Sequence, residues 1–424
     1  MRRSLKMAAG VGGLLTLALG AAAPASADLQ PNGTDVTGVG SDTVQYVSDF
    51  LDDGYNATGT AINGYNTIPK VYKIFSFDAT ADAAGRAQYS ATGRDATGPF
   101  PSAIVLRQGG FPYYRAQGSG DGIGDLLNDT TAPYKINFVR SSRLPKAAEN
   151  TAAVTAGFGT GTAGLHVYRI ATDGLDMAIN NKAAGVTAGD PLSCAPIDGL
   201  TVAELVSIYS GSITTWGGLS GYTGVSRAPS PIGTCASEPI AAMHPDIVKS
   251  GTGKDFDGDL KTANGGTAIT YGSHIIAVEE HDPAPLTVGG TTPGAGGSAY
   301  GPQDTLAPFS TGRYNLIQKG YFDHTLDLHA PGTSPVYKDT IALQVAGTGS
   351  VGASAYHKLR TLYIIVREND VAAAGSFLPG GSLNFVQTFF GTSNSFYGKS
   401  LQAANYTAAG VTQSWADLLN TTSG

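Results

Sequence analysis

Gly38-Val39-Gly40-Ser41-Asp42-Thr43-Val44-Gln45-Tyr46-Val47-Ser48-Asp49-Phe50-Leu51 begins as a glycine and serine turn. It continues as a short amphipathic helix, because Val44, Val47 and Leu51 recur at helical spacing. Ser41 or Asp42 is the natural N-cap, its oxygen accepting the free amides of the first turn. Three more places repeat this plan. Gly118-Ser119-Gly120-Asp121-Gly122 precedes Ile123, Leu126 and Leu127, and Thr201 to Glu204 forms a capping box ahead of Leu205, Ile208 and Tyr209. Lys249-Ser250-Gly251-Thr252-Gly253-Lys254 leads into Phe256 and Leu260.

Strand-like runs separate these turns. Residues 136–139 precede Arg140-Ser141-Ser142-Arg143, while 165–171 and 175–179 flank Thr172-Asp173-Gly174. The wholly apolar run 362–366 has the character of a buried parallel strand. Alternating short strands and helices predict an α/β architecture with mainly parallel sheets. From about 264 to 352 the Gly, Thr, Pro and Ala content leaves no assignable element, and no internal repeat occurs.

The 424 residues suffice for two or three domains. Hydrophobic residues make up 42% and charged ones 14%, which excludes an acidic disordered chain and a coiled coil. Lys and Arg number 26 against 33 Asp and Glu, a net charge of −7 with no basic run, so neither nucleic acid nor an anionic membrane is expected as partner. Three cations in the first six residues, an apolar stretch to Ala23 and Ala25-Ser26-Ala27 together read as a cleavable export signal over residues 1–27. Loss of Arg2, Arg3 and Lys6 with it takes the charge from −7 to −10. The leading arginines come close to a twin-arginine pattern. No lipid-anchor cysteine follows, and no later run is long enough to span a bilayer, so a secreted or surface-held monomer is expected. Cys194 and Cys235 are the two cysteines. In an oxidising compartment they are expected to bridge around the Thr201–Trp216 region, worth about 4 kcal/mol in the chain-entropy account.

A helix N-terminus presents unpaired amides and the positive end of the helix dipole, so these turns can hold an anion. An arginine at the end of a strand could pair with two oxygens of a tetrahedral oxyanion. At this point the chain resembles the phosphate-binding solute receptors of ABC transporters, of the type II periplasmic-binding-protein kind. The resemblance rests on Gly38 to Thr43, Gly118 to Gly120, Asn137 to Ser142, Asp173 to Asn180, Leu205 to Trp216 and Ser250 to Thr252, in that order. Residues 362–366 and Phe385, Phe389 and Phe390 fit its C-terminal return, whereas 264–352 match poorly.

The resemblance implies two α/β lobes joined by two crossing strands and closing on phosphate or a similar oxyanion. Residues 28–170 with 358–424 would form one lobe, and 171–357 the inserted second. The candidate ligand residues are Ser41, Asp42, Thr43, Gly118, Ser119, Gly120, Arg140, Ser141, Ser142, Ser250, Gly251 and Thr252. The family's acidic residue in the strand-end loop is Ser142 here, and its arginine before Ser-Gly-Thr is absent, with His244, Asp246 and Lys249 nearby. Asp42 is the available proton acceptor and Arg140 the available cation. The implied function is capture of phosphate for delivery to an ABC permease, without metal, cofactor or catalysis. A secreted phosphatase or a surface adhesion protein on the same fold are the alternatives.

Other constellations fail on their own spacing. Asp255 follows Lys254 where a phosphate loop needs Ser or Thr, and Asp255, Asp257 and Asp259 lack the glycine and glutamate of a calcium loop. His324, Asp327 and His329 lack a fourth ligand, and no G-x-S-x-G occurs. The glycine and serine turns carry no G-x-G-x-x-G.

Overall fold

A computed structural model describes residues 31–55, 61–69, 71–79, 103–111, 113–180, 194–195, 199–222, 235–245, 250–278, 280–281, 283, 285–286, 290–291, 299–300, 304–319, 341–344, 355–372 and 384–423. The leader, His324, Asp327, His329, Asp246 and Lys249 lie outside them.

In chain order the strands are β1 (Val36–Gly40), β2 (Ile74–Ser76), β3 (Ala103–Ile104), β4 (Tyr113–Tyr114), β5 (Phe138–Ser141), β6 (Leu165–Asn180) and β7 (Ala241–Pro245). They continue with β8 (Ile276–Val278), β9 (Gly290–Thr291), β10 (Ala299–Tyr300), β11 (Thr305–Ser310), β12 (Ile341–Leu343), β13 (His357–Arg367) and β14 (Thr412–Asp417). The helices are α1 (Asp42–Asp52), α2 (Ser119–Asn128), α3 (Ala147–Thr155), α4 (Val202–Tyr209) and α5 (Gly251–Ala263). After them come α6 (Thr311–Gln318), α7 (Glu368–Ala372), α8 (Phe385–Phe389) and α9 (Ala403–Ala408). Among the described residues no helix is long and apolar enough to cross a membrane.

Ten strands form one mixed sheet in the order β2-β1-β5-β13-β6-β11-β7-β8, with β12 and β14 also paired to β6. Two parallel patches make its ends: β2, β1 and β5 on one side, β11, β7 and β8 on the other. The long strands β6 and β13 lie between the patches and pair antiparallel with each other. The register sets Ser141 opposite Tyr363 and Ser310 opposite Leu175. The carboxyl ends of both patches therefore run toward the pair Arg360 and Asp173, which face each other across β13 and β6. Ligands of open α/β sheets bind outside carboxyl strand ends, and here two sets of such ends meet.

Alternation along the strands divides the apolar side chains between cores. Val36 and Phe138 pack with Phe50, Phe389, Phe390 and Tyr406, while Val39 and Val139 pack on the opposite face with Ile123 and Leu126. A further core joins Leu205, Tyr209, Trp216, Phe256 and Leu306 with both cysteines. Cys194 and Cys235 form a disulfide with a Cα separation of 5.4 Å, and the α4 capping box is present, Thr201 Oγ1 accepting from the Glu204 amide at 3.2 Å.

Two strand expectations need correction. Residues 362–366, buried apart from the half-buried Tyr363, pair antiparallel with both neighbours, because an apolar run reports burial and says nothing of direction. The two strand-like runs 165–171 and 175–179 are one strand, for β6 runs straight through Thr172-Asp173-Gly174. Asp173 can sit inside a buried strand because Arg360 and the Gly312 amide satisfy its carboxylate. Gly174 is needed because a Cβ there would stand 2.3 Å from Thr311 Oγ1. The G-x-G-x-x-G spacing does occur twice: at Gly159 to Gly164 it links α3 to β6, the reverse of a strand-to-helix phosphate turn, and at Gly347 to Gly352 it lies outside the described residues. The stretch that defied assignment supplies β8, β11, α6 and β12.

Candidate functional site

Helix α1 starts at Asp42 with Ser41 as N-cap, and Ser41 donates its amide to the Arg140 carbonyl at 2.9 Å. Gly40 before it adopts φ of 121°, where a side chain would strike the Arg140 carbonyl, so the tight strand-to-helix turn requires glycine. Helix α5 starts at Gly251 with Ser250 as N-cap, the serine Oγ accepting from the Gly253 amide at 2.9 Å. Helix α6 starts beside them, capped by Ser310 and by the Asp173 carboxylate on the Gly312 amide at 3.0 Å. Three helix N-termini thus gather near the carboxyl strand ends, each contributing positive potential.

A carboxylate from the chain itself sits at their focus. Glu280, just after β8, accepts from Thr43 Oγ1 at 2.7 Å and from Thr252 Oγ1 at 2.7 Å on Oε1, and its Oε2 accepts from Ser250 Oγ. His281 Nε2 lies 3.1 Å from both threonine hydroxyls, while its Nδ1 accepts from the Ser310 amide. Arg360 completes the cluster. Its Nη2 reaches Thr43 Oγ1 at 3.2 Å, its Nη1 donates to Thr252 Oγ1, and its Nε and Nη2 hold Asp173 at 3.0 and 2.8 Å. All of these residues are buried.

Burial pushes the Glu280 carboxyl up. The hydrogen bond from His281, the charge of Arg360 and the Ser250 hydroxyl more than offset it, holding the group well below the usual carboxylate range. Burial likewise works against the charge on Arg360, but Asp173, Glu280 and Asp255 outweigh it and raise the guanidinium further. Asp42, Glu280 and His281 each bring a ligand atom within 4.8 Å of the others. The set does not fit a resident cation, because Arg313 pairs with Asp42 at 3.1 Å and Arg360 approaches His281 at 3.4 Å. Two fixed guanidiniums make this an anion-holding arrangement.

The predicted site residues divide. Thr43, Ser250 and Thr252 meet on Glu280, with Asp42 beside them. Ser119 and Ser142 pair with each other, their hydroxyls 3.2 Å apart, and a Cβ on Gly251 would fall 2.0 Å from Ser142 Oγ. Gly118 is the N-cap of α2 and Gly120 lies in its first turn. Arg140 and Ser141 face elsewhere. The Arg140 guanidinium is spent on Ser76 Oγ at 2.6 Å and the Phe77 carbonyl at 2.6 Å, and Ser141 Oγ braces its own turn against the Arg143 carbonyl. The cation at the cluster is Arg360 instead. Asp42 is not the cap but the first helical residue, ion-paired to Arg313. Asp257 and Asp259, which fail the calcium-loop pattern, accept from Tyr271 and Tyr356.

Sequence reading missed Asp173, Glu280, His281, Arg313 and Arg360. For Asp173 and Arg360 a signal existed: a charged residue beside an otherwise apolar strand run requires a buried partner. For Glu280 and His281 there was none, since nothing local ties them to helices distant in sequence.

Residues 107–378 match the family described as PBP superfamily domain, well over half of the chain. The chain belongs to the PBP superfamily. No curated protein matches it. Among solved structures, PstS from Borrelia burgdorferi is 15% identical, with 90% of this chain and 98% of that chain covered and a TM-score of 0.34. A high-affinity periplasmic phosphate-binding protein, PfluDING, bound with phosphate is also 15% identical, covering 89% and 90%, with a TM-score of 0.43. The central arginine of this cluster comes from the long strand β13.

Proposed function

We propose that this protein is an exported solute receptor that captures a small inorganic oxyanion, phosphate foremost, where the carboxyl strand ends meet, and delivers it to an ABC permease. One observation carries the reading. Hydroxyls of Thr43, Ser250 and Thr252, from opposite ends of the sheet, converge with Arg360 on one buried carboxylate. Such a set of donors with two oxygens already seated is chemically suited to a tetrahedral oxyanion. Superfamily membership supports the same choice, and PfluDING, which the chain resembles, is a periplasmic phosphate-binding protein solved with phosphate bound.

In this reading residues 28–170 with 358–424 act as one lobe of a monomer and 171–357 as the other. β6 and β13 are the connecting strands, and hydrolysis plays no part. Calorimetric titration of the protein with phosphate, sulfate and arsenate tests it. Saturable one-to-one binding of at least one of these, lost when Arg360 becomes Met, is expected; no binding of any would end the proposal.

A further inference from the structure

We infer that Glu280 is a built-in occupant of the oxyanion place, an internal ligand that an incoming anion must displace; this rests on the oxyanion reading above. The two carboxylate oxygens take the hydroxyls of Thr43 and Thr252 on one side and of Ser250 on the other. Those three are donors that the two helix starts offer, so an anion at the same spot finds them engaged. Coexistence is unfavourable too. An oxyanion would bring its charge beside Glu280 and Asp42, whose ligand atoms stand within 4.8 Å of each other in a buried site. Glu280 is held in its charged form, so it competes as an anion.

The segment that carries it has the means to leave. Glu280 and His281 lie in a turn outside the sheet, and His281 takes φ of 60°, a left-handed conformation unfavourable for a residue with a Cβ. Withdrawal of the turn frees three hydroxyls and relaxes that residue. The apparent affinity for anions is then the intrinsic one reduced by the fraction of molecules with Glu280 withdrawn.

The test compares the full chain with Glu280→Ala, and uses phosphate, sulfate and acetate as probes. Phosphate or sulfate should bind Glu280→Ala about 10- to 100-fold more tightly than the parent, as removal of a competitor that leaves about 1–10% of molecules open requires. Acetate, which reproduces the missing carboxylate, should raise the melting temperature of Glu280→Ala and leave the parent unchanged. Anion binding that is equal or weaker in Glu280→Ala overturns the internal ligand, while binding by the parent keeps the oxyanion reading. Acetate rescue with no binding of phosphate, sulfate or arsenate by either protein keeps the internal ligand and ends the oxyanion reading. Absence of both rescue and tighter binding removes the inference. If Glu280→Ala does not fold, Glu280→Gln decides through the same titrations: its neutral amide should tighten phosphate several-fold, and unchanged or weaker affinity refutes the idea.

Discussion

The two ends of helix α1 bury acidic groups in opposite circumstances. At its N-terminus Glu280 accepts from three hydroxyls and lies in the field of Arg360, and its carboxyl lies well below the ordinary range. At its C-terminus Asp49, Asp52 and Asp53 line a cavity of about 250 Å³ with Asp78, Phe75, Ser76 and Phe77. There desolvation dominates and, with the neighbouring charge of Asp78, pushes Asp49 well above its ordinary value. Burial does the same to Asp52, against a hydrogen bond from Tyr397. Arg140 lies near both acids, but its own hydrogen bonds go to Ser76 and two carbonyls. Burial by itself favours the neutral acid. Donors and the sign of the helix end decide whether a buried carboxylate stays charged.

The most severe way to break this contrast is to remove the cation from the favourable end. Arg360→Met leaves Asp173 and Glu280 as buried charges without their guanidinium and should cost about 3–5 kcal/mol in denaturant unfolding. A loss under about 1 kcal/mol would mean that the hydroxyls and amides alone hold both carboxylates.

Thr43→Val removes one donor from Glu280 without changing the side chain's shape. Its expected cost is about 1.5–3 kcal/mol, the scale of a hydrogen bond to a charged group. Because the folded Glu280 carboxyl is depressed, its contribution is complete above its ordinary value of 4.5 and is lost only as the pH falls far below that. The Thr43→Val deficit should accordingly be constant from pH 5 to pH 8; a deficit that disappears at pH 5 would contradict the assignment.

The smallest effect, and the one of opposite sign, belongs to the other end. Asp52 is raised in the folded state, so the folded protein binds its proton more tightly, and stability falls as the pH climbs above the ordinary 3.8. Asp52→Asn keeps an acceptor for the Tyr397 hydroxyl and sheds the charge. It should stabilise by about 1 kcal/mol at pH 7 and by nothing measurable at pH 3.5, read from melting curves at the two pH values. Destabilisation at pH 7 would show that the carboxylate has a partner that the amide cannot replace.

Much of the architecture was legible because its causes are local. Spacing of Val44, Val47 and Leu51 sets the buried face of α1, the Thr201 and Glu204 pair caps α4, and Ser250 caps α5. The resemblance likewise pointed to Thr43, Ser250 and Thr252, which stand in the first turn of α1, at the N-cap of α5 and in its first turn. Strand direction was less legible, since the apolar run 362–366 would look the same in either orientation. Asp173 stood between two separate strand-like runs in the sequence, because the partner Arg360 that lets it lie inside one strand is distant in the chain.

The sequence by itself determined the turns, the caps, the α/β class and the pairing candidates Cys194 and Cys235, all consequences of short-range backbone and side-chain chemistry. Tertiary structure alone decided which cation serves the site and what fills it. Arg140 and Arg360 are equally plausible in a list of residues. The antiparallel register of β13 on β6 sets Arg360 against Asp173 at the centre of the sheet, whereas Arg140 turns toward Ser76 and Phe77. Glu280 reaches its place because β8 ends beside β7 and next to the start of α5, a neighbourhood that no local pattern around residue 280 encodes.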